Sequence, residues 1–250
     1  MRRLLRSFLC VVVLLLPAVA VAAKSTQSSK TRPAPDTKPS APPVFTDSQL
    51  GPAANLDAPG QKKASDEAQK IAASALAAFK KGDLVGAKKD FEKVLELAPG
   101  NPSTLINLGL IEYRLKHYPA AEKWLTQAVR SAPDAGLAWL ILGIIAYDSD
   151  RLDAALAALA QAVLLEPKDP RSHHYLGVTI GKKGWYSGAE EEMRKAIELD
   201  PNYAEAHFNL AVFYLQRVPP ATELARRHYQ KAIALGAAED EAIAKTLGEP

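Results

Sequence analysis

From about residue 62 onward, apolar and small residues return three and four positions apart, the spacing that lays a stripe along one side of a helix. The stripes come in pairs, and the pairs repeat. Leu108, Leu142, Leu176 and Leu210 are 34 residues apart, and so are Ala87, Ala121, Ala155 and Ala189. Val94, Ala128, Ala162 and Ala196 keep the same interval, as do Pro99, Pro133, Pro167 and Pro201. The pattern predicts first helices over 62–81, 102–115, 136–149, 170–183 and 204–217. It predicts second helices over 84–97, 118–131, 152–165, 186–199 and 220–235. Asn101-Pro102 and Asp169-Pro170 are an N-cap followed by proline at the first helical position. The repeat prolines stop the second helices. Two amphipathic helices leave an apolar face that only a neighbouring pair can cover. The period therefore predicts an all-α solenoid of about five helix–turn–helix units over 61–237, with units at 68–101, 102–135, 136–169, 170–203 and 204–237.

Within each unit the marks have separate physical reasons. Gly109, Gly143, Gly177 and Ala211, with the alanines at 87, 121, 155 and 189, let two helices approach closely. The ends depart from the pattern. The first unit has Ser74-Ala75 where the middle units have Leu-Gly. In the fifth, Ala225, Tyr229 and Ala232 lie 36 residues beyond Ala189, Met193 and Ala196, so two extra residues fall near Arg217-Val218-Pro219-Pro220. Residues 238–250 read as a cap and tail, with Asp240–Leu247 as the short polar helix that closes an open-ended stack.

Trp139, Leu142-Gly143, Ala146, Ala155, Leu159, Ala162 and Pro167 together resemble the tetratricopeptide repeat. The second unit repeats it with Leu105, Leu108-Gly109, Ala121, Leu125, Ala128 and Pro133. The fourth does so with His173, Leu176-Gly177, Ala189, Met193, Ala196 and Pro201. The resemblance covers about residues 62–237 and implies a non-enzymatic adaptor or scaffold that binds a protein or peptide partner. It further implies that the fifth and ninth residues of each first helix face a concave groove. Here those are Ala72 and Leu76, Ile106 and Leu110, Leu140 and Ile144, His174 and Val178, and Phe208 and Val212. Most are large and apolar, so the expectation is a greasy groove for a peptide or helix. Asn107, Arg114, Arg171, Lys182 and Asn209 are the polar groups near it, with Arg171 and Asn209 expected as anchors. Chaperone-binding members of the family hold a C-terminal carboxylate with a Lys/Asn/Arg clamp. This chain lacks Lys at the first-unit positions, which are Ala72 and Leu76.

The beginning of the chain changes the cellular picture. Arg2, Arg3 and Arg6, an apolar Phe8–Leu16 and small residues at Ala18-Val19-Ala20 and Val21-Ala22-Ala23 form a secretory signal peptide over 1–23. Cleavage is expected after Ala20 or Ala23, with delivery to the periplasm or export and no transmembrane anchor remaining. Residues 24–60 hold seven prolines among Ser, Thr and Lys and read as a disordered tether. Its sparse apolar residues are Val44, Phe45, Leu50 and Leu56, which are candidates for folding back onto the groove. The whole chain carries a formal charge of +3, but removing three leader arginines leaves 28 basic and 28 acidic side chains. No nucleic-acid partner is expected from that balance. Cys10 is the one cysteine and lies in the leader, which excludes a disulfide framework and a thiolate nucleophile from the mature protein.

Catalytic and metal chemistry find little support. His173 and His207 share a repeat position and are expected to pack where Trp139 packs rather than to bind metal. Glu190-Glu191-Glu192 is a carboxylate run on a predicted helix and is expected to be a solvated surface. There is no glycine-rich phosphate loop and no H-E-x-x-H. No cofactor is expected. The alternatives to an adaptor are a self-assembling structural repeat protein and an accessory subunit of an envelope enzyme or assembly machine.

Overall fold

Four helices start where a side chain satisfies free N–H groups of the first turn. Asp83 accepts from Gly86 N at 2.8 Å, and Asn101 accepts from Thr104 N at 3.0 Å with Pro102 next in the chain. Asp169 accepts from Arg171 N at 3.1 Å ahead of Pro170, and Asp240 accepts from both Ala242 N and Ile243 N. The computed structural model describes residues 62–248. The expected leader over 1–23, the tether over 24–60 and its apolar set lie outside the described residues.

Among the described residues there are eleven helices and no strand. They are α1 (Lys62–Lys80), α2 (Leu84–Leu97), α3 (Pro102–Arg114), α4 (Tyr118–Ser131), α5 (Gly136–Asp148), α6 (Leu152–Leu165), α7 (Pro170–Lys182), α8 (Tyr186–Leu199), α9 (Ala204–Gln216), α10 (Thr222–Ala234) and α11 (Glu241–Leu247). The first nine fall within one residue of the expected bounds. Each helix packs on the next in the chain, and first helices also touch first helices: α3 on α5, α5 on α7, α7 on α9. This is the stacked helix–turn–helix solenoid.

Each pair is closed by one apolar side chain from the second helix. Phe91, Leu125, Leu159, Met193 and Tyr229 fill this place and are all buried, contributing roughly 1.5–3 kcal/mol apiece. Opposite Leu125 and Leu159 stand Gly109 and Gly143. A Cβ on either glycine would lie 2.5 Å from the leucine Cγ, so only glycine permits this approach. Tyr229 also holds the cap, because its hydroxyl accepts from Asp240 N at 2.8 Å and donates to Asp240 O at 3.1 Å. Leu247 of α11 is buried beneath.

The turn inside each unit is also periodic. Gly82, Lys116, Asp150 and Gly184 are 34 apart, and all four have positive φ, between 58° and 82°. Next to each, a backbone bond closes the turn: Asp83 N to Ala78 O, His117 N to Glu112 O, Arg151 N to Ala146 O and Trp185 N to Ile180 O. In the fifth unit this left-handed corner would fall on Val218, a β-branched residue that the region disfavours. The chain instead leaves α9 extended at Arg217, with ψ 155°. The closing bond to Tyr214 O comes from Ala221 N, two residues later than the period dictates. The two-residue insertion is thus a replacement corner. It delays α10 to Thr222, two residues after its expected start.

Candidate functional site: the first-helix face

The expected groove residues separate into two groups. Leu76, Ile106, Arg171 and Phe208 are partly exposed. Leu110, Leu140, Ile144, His174, Val178, Asn209 and Val212 are buried, each at 2% exposure or less. For these seven, the expectation of open contact residues is corrected. They lie on helices that pack first helix against first helix, and they serve as core there. Arg171 is engaged as well. Its Nε and Nη2 donate to the two Asp169 carboxylate oxygens, both at 2.9 Å.

The buried polar residues follow the repeat. His174 is at 1% exposure, and its Nε2 accepts from Asn209 Nδ2 at 3.0 Å. Its Nδ1–H then donates to Tyr203 Oη at 3.1 Å. That tautomer is neutral, and burial pushes the imidazole down to about 3, so it stays neutral at any physiological pH. Asn107 occupies the position of Asn209 three units earlier. Where His174 would stand, three units back, the chain has Ala72. Asn107 is at 1% exposure, and neither carboxamide atom has a hydrogen-bond partner. A buried amide left in this state costs about 1–3 kcal/mol.

The histidines at the shared repeat position act as helix ties. Trp139 Nε1 donates to Pro133 O at 2.9 Å. His173 Nε2 and His207 Nε2 meet Pro167 O and Pro201 O at 3.1 and 3.2 Å. Three different rings therefore hold the carbonyl of the repeat proline. The remaining nitrogens differ. His173 Nδ1 faces Glu192 at 2.6 Å, whereas His207 Nδ1 faces His228 Nδ1 at 2.9 Å. Burial lowers both His207 and His228, and each counts the other ring or a nearby lysine or arginine against its charge.

The glutamate run is corrected in part. Glu191 is exposed, but Glu192 is tied to His173 and the Glu190 carboxylate is at 4% exposure between Arg194 and Arg217. The signal for this burial was the two-residue insertion, which carries Arg217 across to α8. Charged pairs mark the other unit boundaries too. Lys88 meets Glu112 at 2.7 Å, Arg151 forks onto Glu122 at 2.9 Å, and Lys183 meets Asp153 at 2.6 Å.

The stacked helix pairs define an all-α helical-repeat protein of the solenoid class. The sequence matches the Tetratricopeptide repeat family over residues 73–135 and 106–173, and a second TPR repeat profile over 182–217. The chain is a tetratricopeptide-repeat protein. Solved structures agree on the fold. A crystal structure of MamA is 25% identical, with a TM-score of 0.57, over 64% of this chain and 93% of that one. YrrB, described as a TPR protein with an unusual peptide-binding site, is 23% identical with a TM-score of 0.59, over 76% and 97%. Pseudomonas aeruginosa pilF is 19% identical with a TM-score of 0.65, over 76% and 87%. No curated protein sequence matches the chain.

Proposed function

We propose that the protein is a non-enzymatic adaptor whose first-helix face takes an extended or helical segment of a partner protein. The observation that carries this is Asn107. A carboxamide with one acceptor and two donors complements a peptide group, and both ends of this enclosed one are left over next in the chain to the partly exposed Ile106. The peptide-binding site named for YrrB and the non-enzymatic adaptor role typical of the family favour the same reading. The exposed contacts are then Leu76, Ile106 and Phe208, with Asn107 and the seven buried residues as the floor that shapes them. The signal-like leader adds that the adaptor works in the periplasm or outside the cell. Mass spectrometry of the mature N-terminus checks this, with Lys24 or Val21 as the expected first residue.

Asn107→Leu separates binding from folding. Removing a buried amide that has no partner should raise stability by about 1 kcal/mol, while partner capture weakens. A photo-crosslinker at Ile106 in the full chain should yield one discrete adduct in the native cell. The same group at Leu164, exposed on α6, should not. An Ile106 adduct that is undiminished by Asn107→Leu would remove Asn107 from the contact, and no adduct at Ile106 or Phe208 would remove the face.

A further inference from the structure

We infer that the cleft built by the inserted corner of the fifth unit is a second docking surface, separate from the first-helix face, and that it takes an acidic peptide segment of a partner protein. The cleft has a volume of about 1020 Å³ and lies between the α7–α8 turn and the α9–α10 turn, with Trp185, Arg194, Arg217, Val218, Pro219 and Pro220 among its lining. Two features of this wall are more than a solenoid needs. The first is an apolar shelf: Trp185 is 57% exposed and Val218 99%. The turn that carries Val218 exists because the periodic corner was abandoned there.

The second is a charge imbalance. Arg217 donates through Nε to Glu190 Oε1 at 2.8 Å and through Nη2 to Oε2. Arg194 Nη2 reaches the same carboxylate at 3.1 Å, and its Nε approaches Tyr214 Oη at 3.4 Å. Two guanidiniums thus share one carboxylate, which leaves one uncompensated positive charge among the charged groups of the cleft. Glu190 is spent, being almost wholly enclosed. The arginine side chains are 53% and 42% exposed, and no acceptor meets the Nη1 group of either. Lys183 adds a further ammonium 5.3 Å over the Trp185 ring, although it also serves Asp153. An incoming carboxylate would complete the arginine pair, and an adjacent Leu or Pro side chain would cover Trp185 and Val218. The charge complementarity selects an acidic segment over a basic or purely apolar one.

The test uses the full chain and two synthetic probes, acetyl-Pro-Leu-Asp-Leu-Asp-amide and its Asn counterpart, acetyl-Pro-Leu-Asn-Leu-Asn-amide. The indole N–H resonance of Trp185 is followed by NMR, with Trp185→Phe to assign it among the three tryptophans. The acidic probe should move that signal saturably and leave the Trp139 signal, which is tied to Pro133 O, in place. The Asn probe, and the acidic probe on Arg194→Gln, should each bind about three- to fivefold more weakly, the worth of a partly exposed ion pair. Asn107→Leu should bind the acidic probe unchanged, which separates this surface from the first-helix face. A Trp185 signal that never moves, equal binding of both probes, or binding that is indifferent to Arg194→Gln overturns the inference. Arg194→Gln leaves the Arg217 fork on Glu190 in place, and its far-UV circular dichroism confirms that the fifth unit remains folded.

Discussion

Three glycine-to-alanine substitutions should order themselves by what the new methyl group meets. In helix interiors this change contributes about 1 kcal/mol through propensity, and packing decides the rest. At Gly143, on α5, a Cβ would lie 2.5 Å from Leu159 Cγ, 2.8 Å from its Cδ2 and 3.2 Å from its backbone N. Leu159 is fully buried and branched at the contact, so relief requires moving α6. Overpacking of this kind costs about 1–3 kcal/mol, so Gly143→Ala should be destabilised by about 1 kcal/mol net. Gly177 stands one unit later, where the nearest atom is Met193 Cε at 2.6 Å, the free end of a flexible chain; Glu192 Cβ at 3.1 Å and Ala189 O at 3.2 Å need give only a few tenths of an ångström. Its alanine variant should stay within about 0.5 kcal/mol of the parent, because methionine repacks. Gly188, near the start of α8, meets only Ile180 Cγ2 at 3.4 Å, an ordinary contact. Gly188→Ala should gain about 0.5 kcal/mol. Urea unfolding by circular dichroism gives the ranking, and hydrogen exchange across α5–α6 localises the Gly143 effect. If Gly143→Ala proves as stable as Gly177→Ala, the close approach is not what demands glycine.

Other outcomes follow from single residues. Lys116→Gly relieves a left-handed corner that costs a non-glycine residue about 1–2 kcal/mol and should stabilise by about 0.5 kcal/mol after glycine's own entropy. Asp150→Gly should gain less in the same urea assay, since Asp tolerates that region and loses its Lys182 contact. For Glu112, burial alone would raise the carboxyl, but hydrogen bonds from Lys88 and His117 prevail and lower it below its usual 4.5. Its stabilising contribution is therefore complete above that value and lost as pH falls through the depressed one. Lys88, raised above 10.5 chiefly by the same hydrogen bond, contributes below that value and loses its part as pH rises beyond it. Glu112→Gln should flatten the acid limb of a thermal-melt profile between about pH 5 and 3; an unchanged limb would assign acid sensitivity elsewhere.

The helices were legible because each repeat mark acts locally. A proline stops a helix that has already run a full turn, and Asn101 caps one whatever lies beyond. Exposure of the first-helix face was not legible in the same way. Whether Ile144 or Val178 meets solvent depends on how steeply successive first helices close on one another, a sum of small rotations that no single unit encodes. Glu190 shows the same limit. Its burial requires Arg217 to cross from the next unit, and the helical spacing around Glu190 describes only its own helix. Asn107 lay between the two cases. Its lack of a partner is visible in the register, once Ala72 is set against His174, but only after the Asn209–His174 bond is known.

The relocated corner bears on how such an array diversifies over descent. The bond to Tyr214 O keeps its carbonyl in register although its donor has slipped by two residues, so the added length was absorbed at the bend while α10 kept its seat on α9. A duplicated unit can thus acquire length at its bend without disturbing the neighbours it inherited. The bends at Gly82, Lys116, Asp150 and Gly184 are joints of the same kind, where added length would leave the helices on either side in register.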